Sequence, residues 1–327
     1  MMSAVLAIAV SLVASYFLTP LAGKVAWKIG AVHQPGERRV HTTATPGFGG
    51  LAIYIGFTAA VLLIVAVDKS LRFDGQVIAI LAAGTLVAIF GAFDDKYDLP
   101  AVIQALGIVI ATLVLIHFGI KISHITKPFD APRLVALGAL SIPITIIWVF
   151  GVTKTVDLID GLDGLASGIC AIAATTLLLM AIQAKSAENI KLAGSFHSVS
   201  IMAAALIGAS LGFLRHNYPP AKIFMGTIGS QFMGFILASI SIVGAFKVAT
   251  LVAVAVPVFA LGVPIIDAAF VVVRRFLERR PVHVADKSHV HHRLLERGLS
   301  HGQVVLIIYG LTIALSATAL TLYACSR

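Results

Sequence analysis

The chain has 327 residues, 59% of them hydrophobic and 12% charged, with a mean hydropathy of +0.99. Soluble globular domains hold about 45–50% apolar and about 25% charged residues, which excludes a soluble enzyme, a disordered protein and a disulfide-stapled secreted domain. The net charge of +9 sits in loops between apolar runs and not in an exposed domain. That placement points to membrane topology, anionic lipid or an anionic substrate, and argues against nucleic acid. Cys170 and Cys325 lie in separate apolar runs and imply no disulfide framework.

A membrane-crossing helix needs about 20 predominantly apolar residues. Windows of that kind fall at 3–22, 49–67, 75–93, 101–120, 134–152, 165–184, 198–214, 230–246, 250–273 and 304–324. The expectation is an all-α, polytopic membrane protein of about ten helices, forming a single membrane-embedded domain over 1–327. Met1-Met2-Ser3 lacks the positive n-region of a cleaved signal peptide. The loops 23–48, 94–100, 153–164, 215–229 and 274–303 hold 15 of the 24 Lys and Arg residues, so they are expected to face the cytoplasm, with the N-terminus outside. Ten of the fifteen carboxylates and eight of the eleven histidines fall in the same loops. Topology rules do not call for carboxylates there; a surface that handles cations or phosphates does. No internal repeat or inverted hydropathy symmetry is visible, and the polar residues gather at one face, which argues against a carrier.

Along the chain, the first such segment is Asp94-Asp95-Lys96-Tyr97-Asp98-Leu99-Pro100. Paired carboxylates suit Mg²⁺, a hard cation that shares oxygen ligands with substrate phosphates; a solvated turn, with Pro100 opening the next helix, is the plainer alternative. The second is Asp157-Leu158-Ile159-Asp160-Gly161-Leu162-Asp163-Gly164. Asp157 and Asp160 share a helix face if helical, and Asp163 can cap the sixth span, which accounts for one aspartate of three. Third, Met225-Gly226-Thr227-Ile228-Gly229-Ser230 opens the eighth span, where a helix N-terminus binds anions or small residues serve helix packing. Asp267 is an ionisable residue within the ninth span, functional or paired by default. Last comes Asp286-Lys287-Ser288-His289-Val290-His291-His292-Arg293. Its histidines suit phosphate or sugar better than Mg²⁺. The neighbouring Arg274, Arg275, Arg279 and Arg280 suit anionic lipid.

With these segments the sequence resembles the polyprenyl-phosphate N-acetylhexosamine-1-phosphate transferase family, also called glycosyltransferase family 4. The resemblance runs through His33-Gln34-Pro35-Gly36-Glu37-Arg38-Arg39-Val40-His41, Gly49-Gly50, Asp94-Asp95, Asp160-Gly161-Leu162-Asp163-Gly164, Phe224-Met225-Gly226, Pro264 with Asp267, and the His289 cluster. The reading His-Val-His-His-Arg favours the branch that uses UDP-N-acetylglucosamine and undecaprenyl phosphate over the one that uses UDP-N-acetylmuramoyl-pentapeptide. The resemblance implies a bacterial inner-membrane enzyme with its active site on the cytoplasmic face, and it allows a homodimer. It implies Mg²⁺, or Mn²⁺ in its place, as cofactor. Asp94 would activate the lipid phosphate beside Asp95, and Asp160 and Asp163 would order metal and nucleotide. His289, His291, His292 and Arg293 would hold the diphosphate or sugar, with Lys154 and Asp267 as further substrate contacts.

Four positions depart from the family pattern. Lys154 and Asp157 stand where the family reads Asn-x-x-Asn, Thr227 stands at a metal-binding aspartate, and Phe48 replaces an arginine before Gly49-Gly50. A hydroxyl is a poorer Mg²⁺ ligand than a carboxylate. Either Asp157 restores the lost charge, so that Asp94, Asp157 and Thr227 form the metal site, or the chain is a non-catalytic homologue that binds lipid phosphate or nucleotide.

Overall fold

The computed structural model describes residues 2–33, 44–68, 75–126, 134–185, 190–244, 262 and 294–325. These form nine helices: α1 Met2–Ile29, α2 Gly50–Val67, α3 Gly75–Tyr97, α4 Ala101–His117, α5 Ser141–Ile159, α6 Leu165–Lys185, α7 Ile190–Asn217, α8 Gly226–Gly244 and α9 His301–Cys325. Eight of them are long and apolar enough to cross a membrane; α4, at 17 residues, falls just short. The expected ninth span at 250–273 lies outside the described residues except for Gly262. Two short antiparallel ribbons depart from the all-helical expectation: β1 Val32–His33 with β2 Thr45–Pro46, and β3 His124–Thr126 with β4 Leu134–Ala136.

Hydropathy windows end at the first charge, and the helices do not. α3 continues past the expected residue 93 to Tyr97, so Asp94 and Asp95 are helical and not in a loop. The fifth span is displaced: residues 134–136 are a strand, and α5 runs from Ser141 to Ile159, carrying Lys154 and Asp157 on its last turns. The eighth helix starts at Gly226, four residues early. In each case the polar residues beyond the apolar window find partners inside the protein, so the backbone need not leave its hydrogen-bond ladder.

The centre of the bundle is α8, packed against α2, α3, α5, α6 and α7. Most of α6, α7 and α8 is buried, whereas α1 and α9 are largely exposed. Small residues permit this crowding. A Cβ on Gly91 of α3 would lie 2.5 Å from Ile228 Cα, and one on Gly234 of α8 would lie 2.8 Å from Thr153 Cα. Buried hydroxyls spend their donors on their own helices, as Ser11 does on Ala7 O, Thr112 on Ile108 O and Ser239 on Phe235 O. This satisfies them where water is absent. At one end of the bundle, Asp68 closes α2 and receives the Ser3 hydroxyl and the His197 ring, clasping α1, α2 and α7.

The opposite end gathers the last turns of α3, α5 and α7 and the first turns of α6 and α8. The Gly91 contact sets how closely α3 approaches α8 there. Gly91→Ala is expected to destabilise the fold by about 1–3 kcal/mol, because backbone and not a flexible side chain must yield. A lowered thermal unfolding midpoint in detergent is the check, and an unchanged midpoint refutes the contact.

Candidate active site

Asp95, on the last turn of α3, reaches across to the start of α8. Its Oδ1 accepts the Thr227 N–H at 2.6 Å and its Oδ2 the Ile228 N–H at 3.1 Å. The first amides of a helix have no partner within it and carry the positive end of its dipole, so one carboxylate from another helix satisfies both needs. Gly226 makes the approach possible: its φ is +70°, and a Cβ there would meet the Asp95 carboxylate and Gly47 O.

Asp157 is held from three sides. Its Oδ1 accepts the Ser230 hydroxyl, and its Oδ2 accepts Lys154 Nζ at 2.8 Å and the Gln231 amide at 3.2 Å. Lys154 also donates to Gln104 Oε1 at 2.6 Å, and Gln104 Nε2 donates to Asp94 Oδ1 at 2.7 Å. Asp94 takes the Leu99 N–H as well, closing the turn into α4. Asp94 is thus joined to Asp157 through Gln104 and Lys154. Lys154, expected from the resemblance as a substrate contact, here pairs its ammonium with Asp157 and Gln104.

Asp163 is buried and accepts the Ala221 N–H at 2.9 Å, tying the turn after α5 to the loop before α8. Asn217, also buried, braces the same junction: its Oδ1 accepts the Gly164 N–H and its Nδ2 donates to Ile223 O. From α9, the Tyr309 hydroxyl donates to Gly164 O.

These groups surround a cavity of about 300 Å³ whose lining includes His33, Asp95, Asp157, Asp160, Asp163, Asn217, Phe224, Thr227 and Ser230. Asp160 differs from the other aspartates that line it in that its carboxylate has no hydrogen bond or ion pair among the described residues. Burial first, then the like charges of Asp157, Asp95 and Asp163, push its carboxyl well above the ordinary carboxylate range. Asp95, Asp157, Asp160 and Thr227 face one space, while Asp94 does not line it. His289, His291, His292, Arg293 and Asp267 lie outside the described residues.

Among the described residues, no three His, Cys, Asp or Glu side chains converge as a ready cation cage. Mg²⁺ does not need one: it commonly takes one or two carboxylates, keeps several waters and shares substrate phosphates. Asp160, with its oxygens uncommitted beside three other carboxylates, fits that use. Sequence reasoning missed Gln104, Asn217 and Gln231. Gln104 carried a signal, as a lone amide within the apolar run 101–111.

The capping role of Asp95 predicts a graded outcome. Asp95→Ala removes both acceptors and is expected to cost about 0.5–2 kcal/mol, whereas Asp95→Asn keeps one acceptor and costs less. Unfolding midpoints that fail to rank in that order would contradict the cap.

A family model described as "Glycosyl transferase family 4" matches residues 77–245, a stretch that holds Asp94, Asp95, Asp157, Asp160 and Asp163. A probable undecaprenyl-phosphate N-acetylglucosaminyl 1-phosphate transferase of Bacillus subtilis is 38% identical over 98% of this chain and 86% of its own length. A decaprenyl-phosphate N-acetylglucosaminephosphotransferase of Mycobacterium leprae is 34% identical, over 90% of this chain and 77% of its own. An undecaprenyl-phosphate alpha-N-acetylglucosaminyl 1-phosphate transferase of Escherichia coli is 26% identical, over 93% and 80%. Similarity that spans nearly the whole bundle, and is matched by the family model across the carboxylate cavity, places the chain in glycosyl transferase family 4.

Proposed function

We propose that this protein transfers N-acetylglucosamine 1-phosphate from UDP-N-acetylglucosamine to undecaprenyl phosphate and releases UMP. The observation that carries this reading is the four-carboxylate cavity at one end of a membrane-spanning bundle. It stands in a chain whose relatives are named for N-acetylglucosamine 1-phosphate transfer to polyprenyl phosphates. The basic-residue asymmetry supports placing that end on the cytoplasmic side of the bacterial inner membrane.

An oxygen of the lipid phosphate attacks the β-phosphorus of the nucleotide sugar. The bond from that phosphorus to the bridging oxygen breaks, and UMP departs with the bridging oxygen. Such transfer depends on positioning and charge stabilisation. A diphosphate cannot enter a space walled by aspartates without a counter-charge, and Mg²⁺, or Mn²⁺ in its place, would supply it when bound. Asp160 is the residue with oxygens to offer it, with Asp157 and the Thr227 hydroxyl alongside. Asp95 holds the α8 N-terminus in place, Lys154 sets the position of Asp157, and Asp94 orients Gln104 behind them. His289, His291, His292 and Arg293 are proposed as diphosphate and sugar contacts, and Asp267 as a further substrate contact.

Purified protein with Mg²⁺ is expected to release UMP from UDP-N-acetylglucosamine only when undecaprenyl phosphate is present. Asp160→Asn should lower that rate about 10²–10³-fold, the scale of losing one transition-state charge contact. Activity near wild type in Asp160→Asn would remove this aspartate from the site. No UMP under any condition would favour a homologue that binds without turnover.

The raised Asp160 carboxyl adds a pH dependence. Below its elevated pKa the metal-free site holds a proton that a cation must expel, so protons and Mg²⁺ compete. The Mg²⁺ concentration for half-maximal rate should fall as pH rises towards that pKa. A flat dependence would contradict this.

The departures make a paired test. Asp157→Asn leaves Lys154 without its counter-charge and should weaken activity and Mg²⁺ response together. Thr227→Asp, on the same cavity wall, should restore part of both. Full activity in Asp157→Asn alone would show that Asp157 does not replace the family's carboxylate.

A further inference from the structure

Pro20 lies inside α1 and has no N–H, so the carbonyl four residues back, on Tyr16, lacks its helical donor. His216, near the end of α7, supplies one. Its Nε2 lies 3.1 Å from Tyr16 O, and its ring packs on the Tyr16 ring with centroids 4.9 Å apart. Because a carbonyl only accepts, Nε2 carries the proton. This latch holds α1 against the end of α7, and beside it opens a second cavity of about 320 Å³, at the same end of the bundle as the carboxylate cavity.

Lys24 of α1 and Lys222 of the α7–α8 loop both line this groove, with Trp27, Pro20, His216 and Ile223. Among the described residues, neither ammonium group has an ion-pair partner. Two such cations beside an imidazole call for an anion. The outer face of α1 next to them exposes Phe17, Leu21 and Val25, a surface for acyl chains. Lys and Trp together at a helix end are the residues found where a bilayer meets water.

We propose that this groove binds the phosphodiester headgroup of an anionic glycerophospholipid of the surrounding bilayer, with Lys24 and Lys222 flanking the phosphate. The groove also reaches the carboxylate cavity through a shared wall. Ile223 and Pro46 line the groove, Phe224 lines the cavity, and the Phe224 N–H donates to Pro46 O at 2.8 Å. The same loop donates its Ala221 N–H to Asp163 and accepts the Asn217 amide at its Ile223 carbonyl. A seated headgroup therefore steadies the segment that orders Asp163 and the start of α8, and turnover rises with it.

The test uses the full chain in nanodiscs of phosphatidylcholine with increasing phosphatidylglycerol, scoring retained phosphatidylglycerol by native mass spectrometry. That readout does not depend on the proposed reaction. Each lysine near an anionic headgroup contributes roughly fivefold in affinity, so Lys24→Gln/Lys222→Gln should lose about 25-fold. Lys24→Arg/Lys222→Arg should keep binding, which separates lost charge from misfolding. UMP release should rise with phosphatidylglycerol in wild type and not in the Gln pair, while the two match in phosphatidylcholine alone. Unchanged phosphatidylglycerol retention in the Gln pair overturns the proposal. So does a Gln pair that retains phosphatidylglycerol but raises KM for undecaprenyl phosphate, since the groove would then belong to the acceptor.

Discussion

The carboxylate of Asp95 on the first amides of α8 is the contact around which this end of the protein is arranged. A central helix whose N-terminus opens into an internal cavity would otherwise present unpaired N–H groups and the positive end of a dipole away from bulk water. Supplying the acceptor from α3 fixes the two helices in height and rotation at once. The close packing of Gly91 on Ile228 and the positive φ of Gly226 are the conditions under which that carboxylate can arrive. Thr227, Ser230 and Gln231 are then presented along one side of α8, towards Asp157 and the cavity.

The second arrangement is a division of labour among carboxylates that look alike on paper. Asp95 is consumed by a helix end, Asp157 by Lys154, Ser230 and Gln231, and Asp94 by Gln104 and the turn into α4. Asp163 braces a loop. Of the aspartates lining the cavity, Asp160 alone keeps its oxygens uncommitted among the described residues, and it bears the repulsion of three neighbours. Three aspartates thus hold a fourth in an environment that favours either a proton or a cation.

Much of this was legible in the sequence, for reasons that differ by element. Long apolar runs located nine helices because crossing a bilayer demands them. The helix ends were misplaced at Tyr97, Ser141 and Gly226, because hydropathy reports where water would be tolerated and not where the hydrogen-bond ladder stops. The clustering of Asp95, Asp157, Asp160 and Asp163 marked the candidate site, whereas Asp94 lies behind it and the pairing of Lys154 with Asp157 emerged only from the fold. That Asp95 caps a helix 132 residues away was not legible, since no local spacing records it. Nor were Asn217 and Gln104: a single amide has many local uses, and only the fold reveals which groups it bridges.

The uneven lengths of the helices also bear on how the protein meets its surroundings. α1 has 28 residues and α8 has 19, which at 1.5 Å per residue is about 42 Å against about 28 Å. The long helix lies at the lipid-exposed rim and the short one at the centre. When bilayer thickness changes, tilt and stretch are absorbed where hydrocarbon touches protein. α8, enclosed by five other helices, has little contact with that boundary. Its end at the carboxylate cavity is therefore set by protein packing, and membranes of different thickness should meet the same arrangement of aspartates.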